Sequence, residues 1–569
     1  MNAERLLQHF DRIAEAPDAV PRLRRFILDL AVRGKLVEQD PDDEPGTELL
    51  KRIKMAKARR NLKEKTKPGK GRNFDANEKA AYHLPSGWVW TSLADLTAVL
   101  NGRAYAKNEL LDQGTPVLRV GNLFTSDHWY YSSLTLEDDK YCNAGDLLFS
   151  WSASFGPFIW PGPRVIYHYH IWKLSLHDEL SLDKNYLYRF LLHKTQEIKD
   201  SGHGVSMLHM TKEKMELVQV PLPPLAEQRR IVAKVDELMA LCDRLEAAQN
   251  KREQRRDRLA AASLNRINQP APAAEGEAAL REHARFHLTH FPRLTTRLWH
   301  IKALRETILN LAVFGCLVAQ DPKDEPIDVT LRAALDRRAA LIRAKKVRQK
   351  KHDDLAALTK RNNLPASWAV ERLGNLVDPE NTISYGVLVP GNEVADGIPF
   401  VRAQDLALNS HPERPNKSIA PEIEKAYART RLQGGEILLC VVGSIGKLGI
   451  VPPSWAGANI ARAVARILPV PEVFRDYLLV VLQAKPLQTY FTEATRTLAQ
   501  PTLNVGLIEQ AAIPLPPLAE QHRIVAKVDE LMAVCDQLEA NLTSTQTDSR
   551  RLLEAVLRDA LAPVLEAAA

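Results

Sequence analysis

The sequence contains little from which a metal centre or a catalytic site could be built. Only five cysteines occur among 569 residues and none forms a CxxC pair, so neither a disulfide framework nor a zinc site is indicated. The HYH run at 168–170 lacks the spaced partners of a metal site. The chain also lacks a GxxxxGK[ST] phosphate loop, an NPPY-type tetrapeptide, a glycine fingerprint after a strand and a GxSxG elbow. We therefore expect a binding protein with no catalytic or metal-ligating residue.

Long apolar runs are also missing. No stretch approaches the roughly 20 residues needed to cross a bilayer, and the first residues, MNAERLLQHF, do not resemble a signal peptide. We therefore expect a cytoplasmic location. An apolar content of 45% and a charged content of 26% are ordinary for a soluble globular protein, and the length suggests about four domains. The net charge of +7 permits a polyanionic partner without requiring one.

The dominant positive feature is an internal repeat. Residues 221–246 read PLPPLAEQRRIVAKVDELMALCDRLE and residues 514–539 read PLPPLAEQHRIVAKVDELMAVCDQLE, with 23 of 26 positions identical. The prolines exclude a helix at the start of each copy, and the residues that follow have helical apolar spacing. This spacing forms a seam that requires a partner helix. The seam residues are Ile231, Val235, Leu238, Cys242 and Leu245 in the first copy, and Ile524, Val528, Leu531, Cys535 and Leu538 in the second.

Two arrangements would cover these seams. In the simpler one, the two repeated helices pack on each other. In the alternative, each helix is a core helix of its own domain. In both arrangements Cys242 and Cys535 would act as small hydrophobic residues, because they lie on the apolar stripe.

A second repeated segment is helical and precedes the basic tract and the α+β domain of each repeat. Residues 10–37 and 291–318 share a helical pattern at a shift of 281 residues, and Gly34 is predicted to cap the first helix at its C-terminus. The acidic runs DPDDE (40–44) and DPKDE (321–325) follow, and turn chemistry explains them better than nuclease carboxylates do. The repeat therefore covers nearly the whole chain, at about 4–268 and 285–561.

Basic tracts follow both helical segments. Residues 51–73 contain eleven Lys and Arg against one acidic residue, and residues 332–351 contain nine against one. Two interpretations remain open, a solvated helix with a mobile linker or a surface for phosphate contact. Both tracts lack aromatic residues, which argues against stacking on single-stranded bases there.

The third piece of each repeat has the character of an α+β domain of about 140 residues, with short strands broken by Gly and Pro. Strand signals occur at 115–124, 145–160 and 170–176 in the first copy and at 398–406, 435–451 and 461–470 in the second, with helices near 186–193 and 477–483. These domains diverge although the helices around them are near duplicates. The predicted boundaries are 1–83, 84–220, 221–363, 364–513 and 514–569, with the α+β domains at 84–220 and 364–513.

Several of these motifs resemble one known family. The PLPPLAEQxRIVAKVDELM element after each α+β domain resembles the conserved regions of the specificity (S) subunit, HsdS, of type I restriction–modification enzymes. The LPxxW start of each domain and the runs GDLLFSWSAS and GEILLCVVGSIG resemble that family's target recognition domains. The likeness covers essentially the full chain. The extended helical segments at 1–80 and 270–360 depart from a minimal S subunit, and their role is open.

The resemblance implies an α+β fold class, with two α+β target recognition domains separated by two long antiparallel helices in an internal pseudo-twofold repeat. It implies a non-catalytic subunit in which each domain reads one half of a bipartite, asymmetric site in double-stranded DNA. The implied partners are two modification subunits, which use S-adenosylmethionine to methylate adenine N6, and up to two restriction subunits, which use ATP and Mg²⁺. No cofactor is then expected in this chain.

Candidate DNA-binding residues come from general rules of recognition, since side chains read bases while Lys, Arg and backbone amides on phosphates set the register. In the first domain they are Asn101, Arg103, Tyr105, Lys107, Arg119, Asn122, Ser152, Ser154, His170 and Lys173. In the second they are Tyr385, Arg402, Gln404, Asp405, Ser444, Lys447, Asn459 and Arg462. Arg119 and Arg402 rank highest, because both follow a short apolar strand and precede a polar loop. For each candidate, a surface or turn role without base contact is the alternative.

Other classes of function remain open at this point. A stand-alone DNA-binding regulator would bind its site tightly without large partners. A coiled-coil scaffold would need no sequence recognition, which leaves the two divergent α+β domains without a purpose. A hidden nuclease is the weakest alternative, and incubation of the chain with DNA and Mg²⁺ would detect it.

Overall fold

The computed structural model describes residues 16, 18–63, 82–152, 154–201, 210–268, 286, 290, 294–347, 364–495 and 501–561. The chain divides into two compact units. Unit 1 comprises Met1–Lys251 and Gln546–Ala569, and unit 2 comprises Arg252–Thr545. None of the described helices is long and apolar enough to cross a membrane.

Unit 1 begins with two helices, continues through an α+β domain and ends in a long helix. Its elements are α1 (Ala19–Val32), α2 (Gly46–Lys63), β1 (Val89–Ser92), α3 (Leu93–Leu96), β2 (Thr97–Asn101), β3 (Thr115–Leu118), α4 (Val120–Phe124), β4 (Tyr130–Ser132), β5 (Tyr141–Cys142), β6 (Leu147–Ser150), β7 (Gly156–Ile159), β8 (Val165–Tyr167), β9 (Ile171–Leu176), α5 (Lys184–Ser201), α6 (Lys212–Glu216), β10 (Gln219–Leu222) and α7 (Leu225–Asn268).

Unit 2 repeats this order. Its elements are α8 (Leu298–Val313), α9 (Ile327–Arg343), β11 (Ala369–Arg372), β12 (Ser384–Tyr385), β13 (Ile398–Val401), β14 (Lys417–Ile419), α10 (Pro421–Lys425), β15 (Ile437–Cys440), β16 (Leu448–Ile450), β17 (Asn459–Ile460), β18 (Val464–Ile467), α11 (Arg475–Gln483), α12 (Lys485–Thr495), α13 (Val505–Gln510), β19 (Ala512–Leu515) and α14 (Leu518–Leu561). Each stretch with a predicted strand contains one, and the helices near 186–193 and 477–483 are confirmed. The end of the stretch 115–124 is a helix instead, since Val120–Phe124 forms α4.

Each α+β domain contains two small sheets and a two-stranded ribbon. In unit 1 the sheet orders are β2-β9-β6-β7, which is antiparallel, and β4-β3-β8-β5, in which β3 and β8 are parallel. In unit 2 they are β12-β18-β15-β16 and β14-β13-β17, in which β13 and β17 are parallel. The helices α5 and α11 pack their apolar faces on the antiparallel sheets, and this buries the core of each domain.

A ribbon closes each domain where the chain enters and leaves it. In unit 1, Val89 of β1 pairs with Leu222 of β10, and in unit 2 Ala369 of β11 pairs with Leu515 of β19. The sequence predicted a rigid non-helical PLPP segment, and its first residues form this second strand. Proline is tolerated there because a two-stranded ribbon leaves one edge of each strand without ladder hydrogen bonds.

The helix α7 meets the start of the domain through a buried carboxylate. Glu227 is 1% exposed and accepts hydrogen bonds from Trp88 Nε1 at 2.9 Å and from Gln39 Nε2 at 3.1 Å. Burial raises its pKa although both donors favour the ionised form. One turn later, Arg230 pairs with Asp43 of the acidic turn at 2.7 Å. The turn assignment for DPDDE is confirmed, because the amide of Asp43 donates to the carbonyl of Asp40 at 3.2 Å. The side chain of Asp43 then anchors the repeated helix.

The same contacts recur in unit 2. Glu520 accepts from Trp368 Nε1 at 3.1 Å and from Gln320 Nε2 at 2.9 Å, and burial raises its pKa as well. Arg523 pairs with Asp324 at 2.7 Å. The AEQ and LPxxW motifs are therefore two halves of one repeated junction, which explains why they are preserved in both copies.

Glycine ends the helix that precedes each domain. Gly34 follows α1 with φ +67°, and Gly315 follows α8 with φ +71°. A Cβ on Gly34 would lie 2.3 Å from Pro85 Cγ, and one on Gly315 would lie 2.6 Å from Pro365 Cγ. The predicted role of Gly34 is confirmed, because only glycine permits both this backbone conformation and this close approach.

The expectation that the two repeated seams pack on each other is wrong. In unit 1 the seam residues Ile231, Val235 and Cys242 pack against Val20 and Ile27 of α1, with Leu238 and Leu245 at the margin of the same cluster. The physical reason is that α1 presents an apolar stripe of its own, which supplies the partner helix within the unit.

In unit 2, Ile524, Val528 and Cys535 likewise join a cluster that contains Ile301 and Ile308 of α8, and Leu531 and Leu538 lie at its margin. The helices α1 and α8 of the extended helical segments therefore cover the seams. This gives a structural role to that part of the segments. Both cysteines are buried, and burial raises the pKa of each thiol, as expected of small hydrophobic residues.

The interpretation of the first basic tract as a solvated helix is also corrected in part. Leu49 and Ile53 of α2 are fully buried in the core of the first domain. Lys57 bonds to Asp95 at 2.9 Å, and Arg52 pairs with Glu44 at 2.5 Å. The helix is therefore docked, because its apolar side is buried while part of its charge is neutralised locally. Residues 64–73 of the tract lie outside the described residues.

The second tract behaves in the same way. Ile327, Leu331 and Ala334 of α9 are buried, and Arg337 bonds to Glu472 at 2.5 Å. Residues 348–351 lie outside the described residues. The idea that either tract contacts phosphate stays a prediction.

Each long helix begins in one unit and ends in the other. The helix α7 starts in unit 1 and ends in unit 2, while α14 starts in unit 2 and ends in unit 1. The fold-class prediction is therefore confirmed, with two α+β domains, two long helices that pass between the units in opposite directions, and an internal repeat.

Ion pairs hold the last turns of both helices. In unit 1, Arg550 of α14 lies 3.6 Å from Asp18, and Leu553 is fully buried beside the start of α1. In unit 2, Asp257 of α7 lies 3.3 Å from Arg297. Asp257 and Arg550 lie at equivalent positions of the two repeated helices and carry opposite charges. In unit 1, Arg22 of α1 also pairs with Glu554 of α14 at 2.7 Å.

Candidate nucleic-acid interface

Four loops converge at the ends of the central strands of the first domain. The amide of Tyr169 donates to the carbonyl of Arg103 at 3.0 Å, and that of His168 donates to the carbonyl of Leu118 at 2.9 Å. The amide of Trp151 donates to the carbonyl of His170 at 3.2 Å. These bonds bring together the loops that carry most of the first domain's candidates. We call this region the first loop junction, comprising residues 101–108, 119–122, 151–152, 154 and 168–170.

Aromatic and imidazole rings fill the first loop junction. His168 stacks on Tyr105 with ring centroids 6.3 Å apart, and His170 meets Trp151 edge-on at 5.0 Å. Burial, together with His170 and Arg119, lowers the pKa of His168 to about 4. The His168 imidazole is therefore neutral near pH 7, so it presents one donor and one acceptor rather than a charge.

Arg119 lies at this junction without a carboxylate partner. Its guanidinium carbon lies 5.0 Å from the ring centroid of Tyr130, a cation–π contact, and the residue is exposed. Within the described part of the chain it forms no ion pair. Asn122 accepts from the backbone amide of Arg119 at 3.0 Å and donates to the carbonyl of His128 at 2.8 Å, so its amide holds the loop.

Other candidates in the first domain have partners within the protein. Arg103 pairs with Glu109 at 2.7 Å, and Lys173 donates to the carbonyl of Tyr141 at 2.6 Å. Burial raises the pKa of Tyr105 to about 12. The remaining candidates lie at the surface or are half-buried: Asn101 and Lys107 are exposed, and Ser152, Ser154 and His170 are half-buried.

The second domain has the same four-loop geometry. The amide of Arg462 donates to the carbonyl of Val387 at 2.9 Å, that of Ala461 to Val401 at 2.9 Å, and that of Val441 to Ala463 at 2.8 Å. We call this region the second loop junction, comprising residues 384–391, 402–405, 441–447 and 461–463. The backbone of the two junctions is thus equivalent, whereas HYH at 168–170 corresponds to ARA at 461–463.

Arg402 differs from Arg119 in its partners. Its Nε and Nη2 each donate to Asp405 at 3.0 Å, and its backbone amide donates to the same carboxylate at 2.9 Å. When the side-chain amide of Gln404 is oriented with its oxygen toward Arg402, this oxygen accepts hydrogen bonds from Arg402 Nη1 at 3.1 Å and Nη2 at 2.8 Å. Lys447 donates to the carbonyls of Ala403 and Gln404 at 3.3 and 3.2 Å. This arginine is therefore held by its own loop.

The remaining candidates of the second domain differ in how exposed they are to solvent. Arg462 and Ser444 are exposed. Tyr385 donates its hydroxyl to the carbonyl of Leu503 at 2.8 Å. Asn459 is fully buried and bonds to Thr430 at 2.7 Å, which favours a structural role for it. Among the described residues, no cluster of His, Cys, Asp and Glu side chains could hold a metal ion.

Comparison with known proteins identifies the family. The family model described as "Type I restriction modification DNA specificity domain" matches residues 85–253 and 367–545, which is more than half of the chain. The chain belongs to this specificity family. Each match runs from the LPxxW start of an α+β domain into the following long helix. The repeat that the sequence revealed is therefore a repeat of the specificity domain.

Individual relatives of the specificity family share moderate identity over most of their length. The chain is 24% identical to the EcoBI specificity subunit of Escherichia coli over 86% of this chain and 88% of that protein. It is 26% identical to the EcoEI specificity subunit of Escherichia coli over 95% of this chain and 94% of that protein. The crystal structure of the HsdS subunit from Thermoanaerobacter tengcongensis aligns with 85% of this chain and 98% of that chain, at 20% identity and a TM-score of 0.42.

Sequence reasoning missed several residues of the specificity domains. Trp151 belongs to the first loop junction, Tyr130 contacts its arginine, and His128 contacts Tyr130. Leu388 and Val389 are exposed on the second junction. The HYH run was weighed as a metal site, and of its residues only His170 was chosen as a DNA-binding candidate. Its aromatic neighbours in the sequence, including YHYHIW at 167–172, were the signal that could have identified a cluster of rings.

Proposed function

We propose that this chain is the DNA-specificity subunit of a type I restriction–modification enzyme, in which each α+β domain reads one half of a bipartite, asymmetric site in double-stranded DNA. The supporting observation is the pair of loop junctions. Their backbones are equivalent, but their exposed side chains differ in charge, size and aromatic character. A common frame with different side chains is what two readers of different half-sites require, because base identity is read by side-chain donors, acceptors and methyl contacts.

In this proposal the chemistry belongs to partner subunits. Two modification subunits would bind S-adenosylmethionine and methylate adenine N6, and restriction subunits would use ATP and Mg²⁺. An adenine must leave the base stack to be methylated, which needs a pocket that encloses the flipped base. The chain's own residues would bind and orient the DNA. The helical segments and the long helices offer the surface on which the modification subunits would dock.

The long helices would set the distance between the half-sites. At about 1.5 Å per residue, α7 with its 44 residues spans about 66 Å. Four residues inserted after Ala247 would lengthen the helix by about 6 Å, or one to two base pairs at about 3.4 Å each. The half-sites should stay the same while the spacer between them grows.

Exchange of one domain tests the assignment. Residues 84–220 are replaced by the corresponding domain of another specificity subunit, and the chain is expressed with its modification subunits. Methylation-sensitive sequencing of the host DNA should then show one altered half-site, with the other half and the spacer unchanged. Alteration of both halves by the single exchange would refute the two-reader model, and absence of any bipartite motif with the wild-type chain would refute the function itself.

A further inference from the structure

The two arginines that occupy equivalent positions in the loop junctions differ in one neighbour. Arg119 is followed three residues later by Asn122, whereas Arg402 is followed by Asp405. Both neighbours accept a hydrogen bond from the backbone amide of the arginine, at 3.0 Å and 2.9 Å respectively. The local backbone is therefore the same, and the difference lies in charge.

That difference decides what each guanidinium can do. The carboxylate of Asp405 takes two N–H groups of Arg402, so the fork that could grip a base is already occupied. The amide of Asn122 is neutral, and its nitrogen is used by the carbonyl of His128. Within the described part of the chain, the Arg119 guanidinium contacts the face of Tyr130 and pairs with no carboxylate.

The rings of Tyr130 and His168 lie near the exposed Arg119. His168 near it is neutral at pH 7, since burial, together with His170 and Arg119, lowers its pKa to about 4. The ring of Tyr130 is itself contacted edge-on by His128 at 4.8 Å. A guanidinium oriented by an aromatic face keeps its planar fork presented outward, and this fork matches the O6 and N7 acceptors of guanine in the major groove.

We propose that Arg119 is a specificity-determining residue that reads a guanine in the first half-site, and that Arg402 is a structural arginine neutralised by Asp405 and does not read a base. This inference rests on the proposed function. It assigns the two domains different means of reading, although the sequence ranks the two arginines equally. The second loop junction must then read through other exposed groups, such as Arg462 and the apolar pair Leu388 and Val389.

The test uses the full chain co-purified with its modification subunits and a library of DNA duplexes in which each half-site is randomised. The variants are Arg119→Ala, Arg119→Lys, Arg402→Ala and Asn122→Asp. Bound and methylated duplexes are sequenced. The wild-type complex must select a bipartite motif, and failure at that step would overturn the proposed function rather than this inference.

With the motif in hand, Arg119→Ala and Arg119→Lys should both relax one G·C position of one half-site, with a loss of discrimination of roughly 5- to 150-fold. Lysine retains the charge but not the fork, so loss of discrimination in Arg119→Lys separates a base contact from a phosphate contact. Asn122→Asp should reproduce the loss, because the new carboxylate captures Arg119 as Asp405 captures Arg402. Arg402→Ala should leave both half-sites unchanged.

Three outcomes would overturn the inference. They are retention of full discrimination by Arg119→Lys, equal loss of discrimination in Arg402→Ala, and relaxation of positions in both half-sites by Arg119→Ala. Far-ultraviolet circular dichroism and co-purification of the modification subunits establish that each variant is folded and assembled. Because Arg119 is exposed, its replacement is not expected to change either readout.

Discussion

The hydrogen bond between Trp88 and Glu227 makes a quantitative prediction about the repeated junction. Trp88→Phe removes the indole donor that lies 2.9 Å from a carboxylate that is 1% exposed. A hydrogen bond to a charged group contributes about 1.5–3 kcal/mol, and the smaller ring adds about 1 kcal/mol from lost packing. We expect unit 1 to lose about 2.5–4 kcal/mol of unfolding free energy at neutral pH.

The partner variant isolates the hydrogen bond from the packing. Glu227→Gln removes the buried charge, so the indole donor then serves a neutral acceptor and its loss costs only about 0.5–1.5 kcal/mol. The effect of Trp88→Phe should therefore be smaller by about 1 kcal/mol or more in the Glu227→Gln background. The matched pair in unit 2, Trp368→Phe and Glu520→Gln, should behave in the same way, because its distances are nearly equal.

Urea unfolding gives the free energy of unfolding of the wild type, the two single variants and the double variant. Circular dichroism is used as the signal because loss of a tryptophan would change the fluorescence itself. Hydrogen exchange of residues 84–92 and 219–232 localises the change to the junction. Additive effects of the two substitutions, within about 0.5 kcal/mol, would refute the reasoning, because they would show that the indole and the carboxylate are not coupled.

Three further predictions concern other features of the fold. Gly34→Ala should destabilise unit 1 by at least about 1–2 kcal/mol in thermal unfolding, because φ is +67° and the new methyl group would meet Pro85. Leu553→Ala should cost about 2–5 kcal/mol in urea unfolding, whereas Val534→Ala, which is 50% exposed on the same helix, should change stability by less than about 0.5 kcal/mol. Burial raises the pKa of Glu520, so the folded state favours its protonated form and its contribution to stability falls as pH rises from the unfolded value through the raised pKa. The stability of Glu520→Gln relative to the wild type should therefore increase as pH rises from about 4 to about 7, measured from urea midpoints.

The sequence predicted the architecture because the repeat is long and nearly identical. It did not predict what covers the seams, since an a/d stripe specifies a partner helix without identifying it. The apolar stripe on α1, with Val20 and Ile27, was available in the sequence as a second candidate. The choice between two chemically similar partners depends on chain geometry, which periodicity does not encode.

The candidate interface shows the same limit at the level of single residues. Arg119 and Arg402 were selected by one rule, an arginine after an apolar strand, and the structure places both at equivalent positions. The difference between them depends on whether the side chain three residues later carries a charge. Asn459 was named among the candidates as a polar side chain, and only the packing around it shows that it is buried.

The opposite charges at the equivalent positions Asp257 and Arg550 have a consequence for a chain that contains nearly identical copies of the same helix. If the end of α7 occupied the place of the end of α14, Asp257 would lie beside Asp18, and in the opposite exchange Arg550 would lie beside Arg297. Each exchange would place like charges at contact distance, which is unfavourable, whereas both native pairs join opposite charges. At these two positions charge therefore favours the native assignment of the two helix ends over the exchanged one.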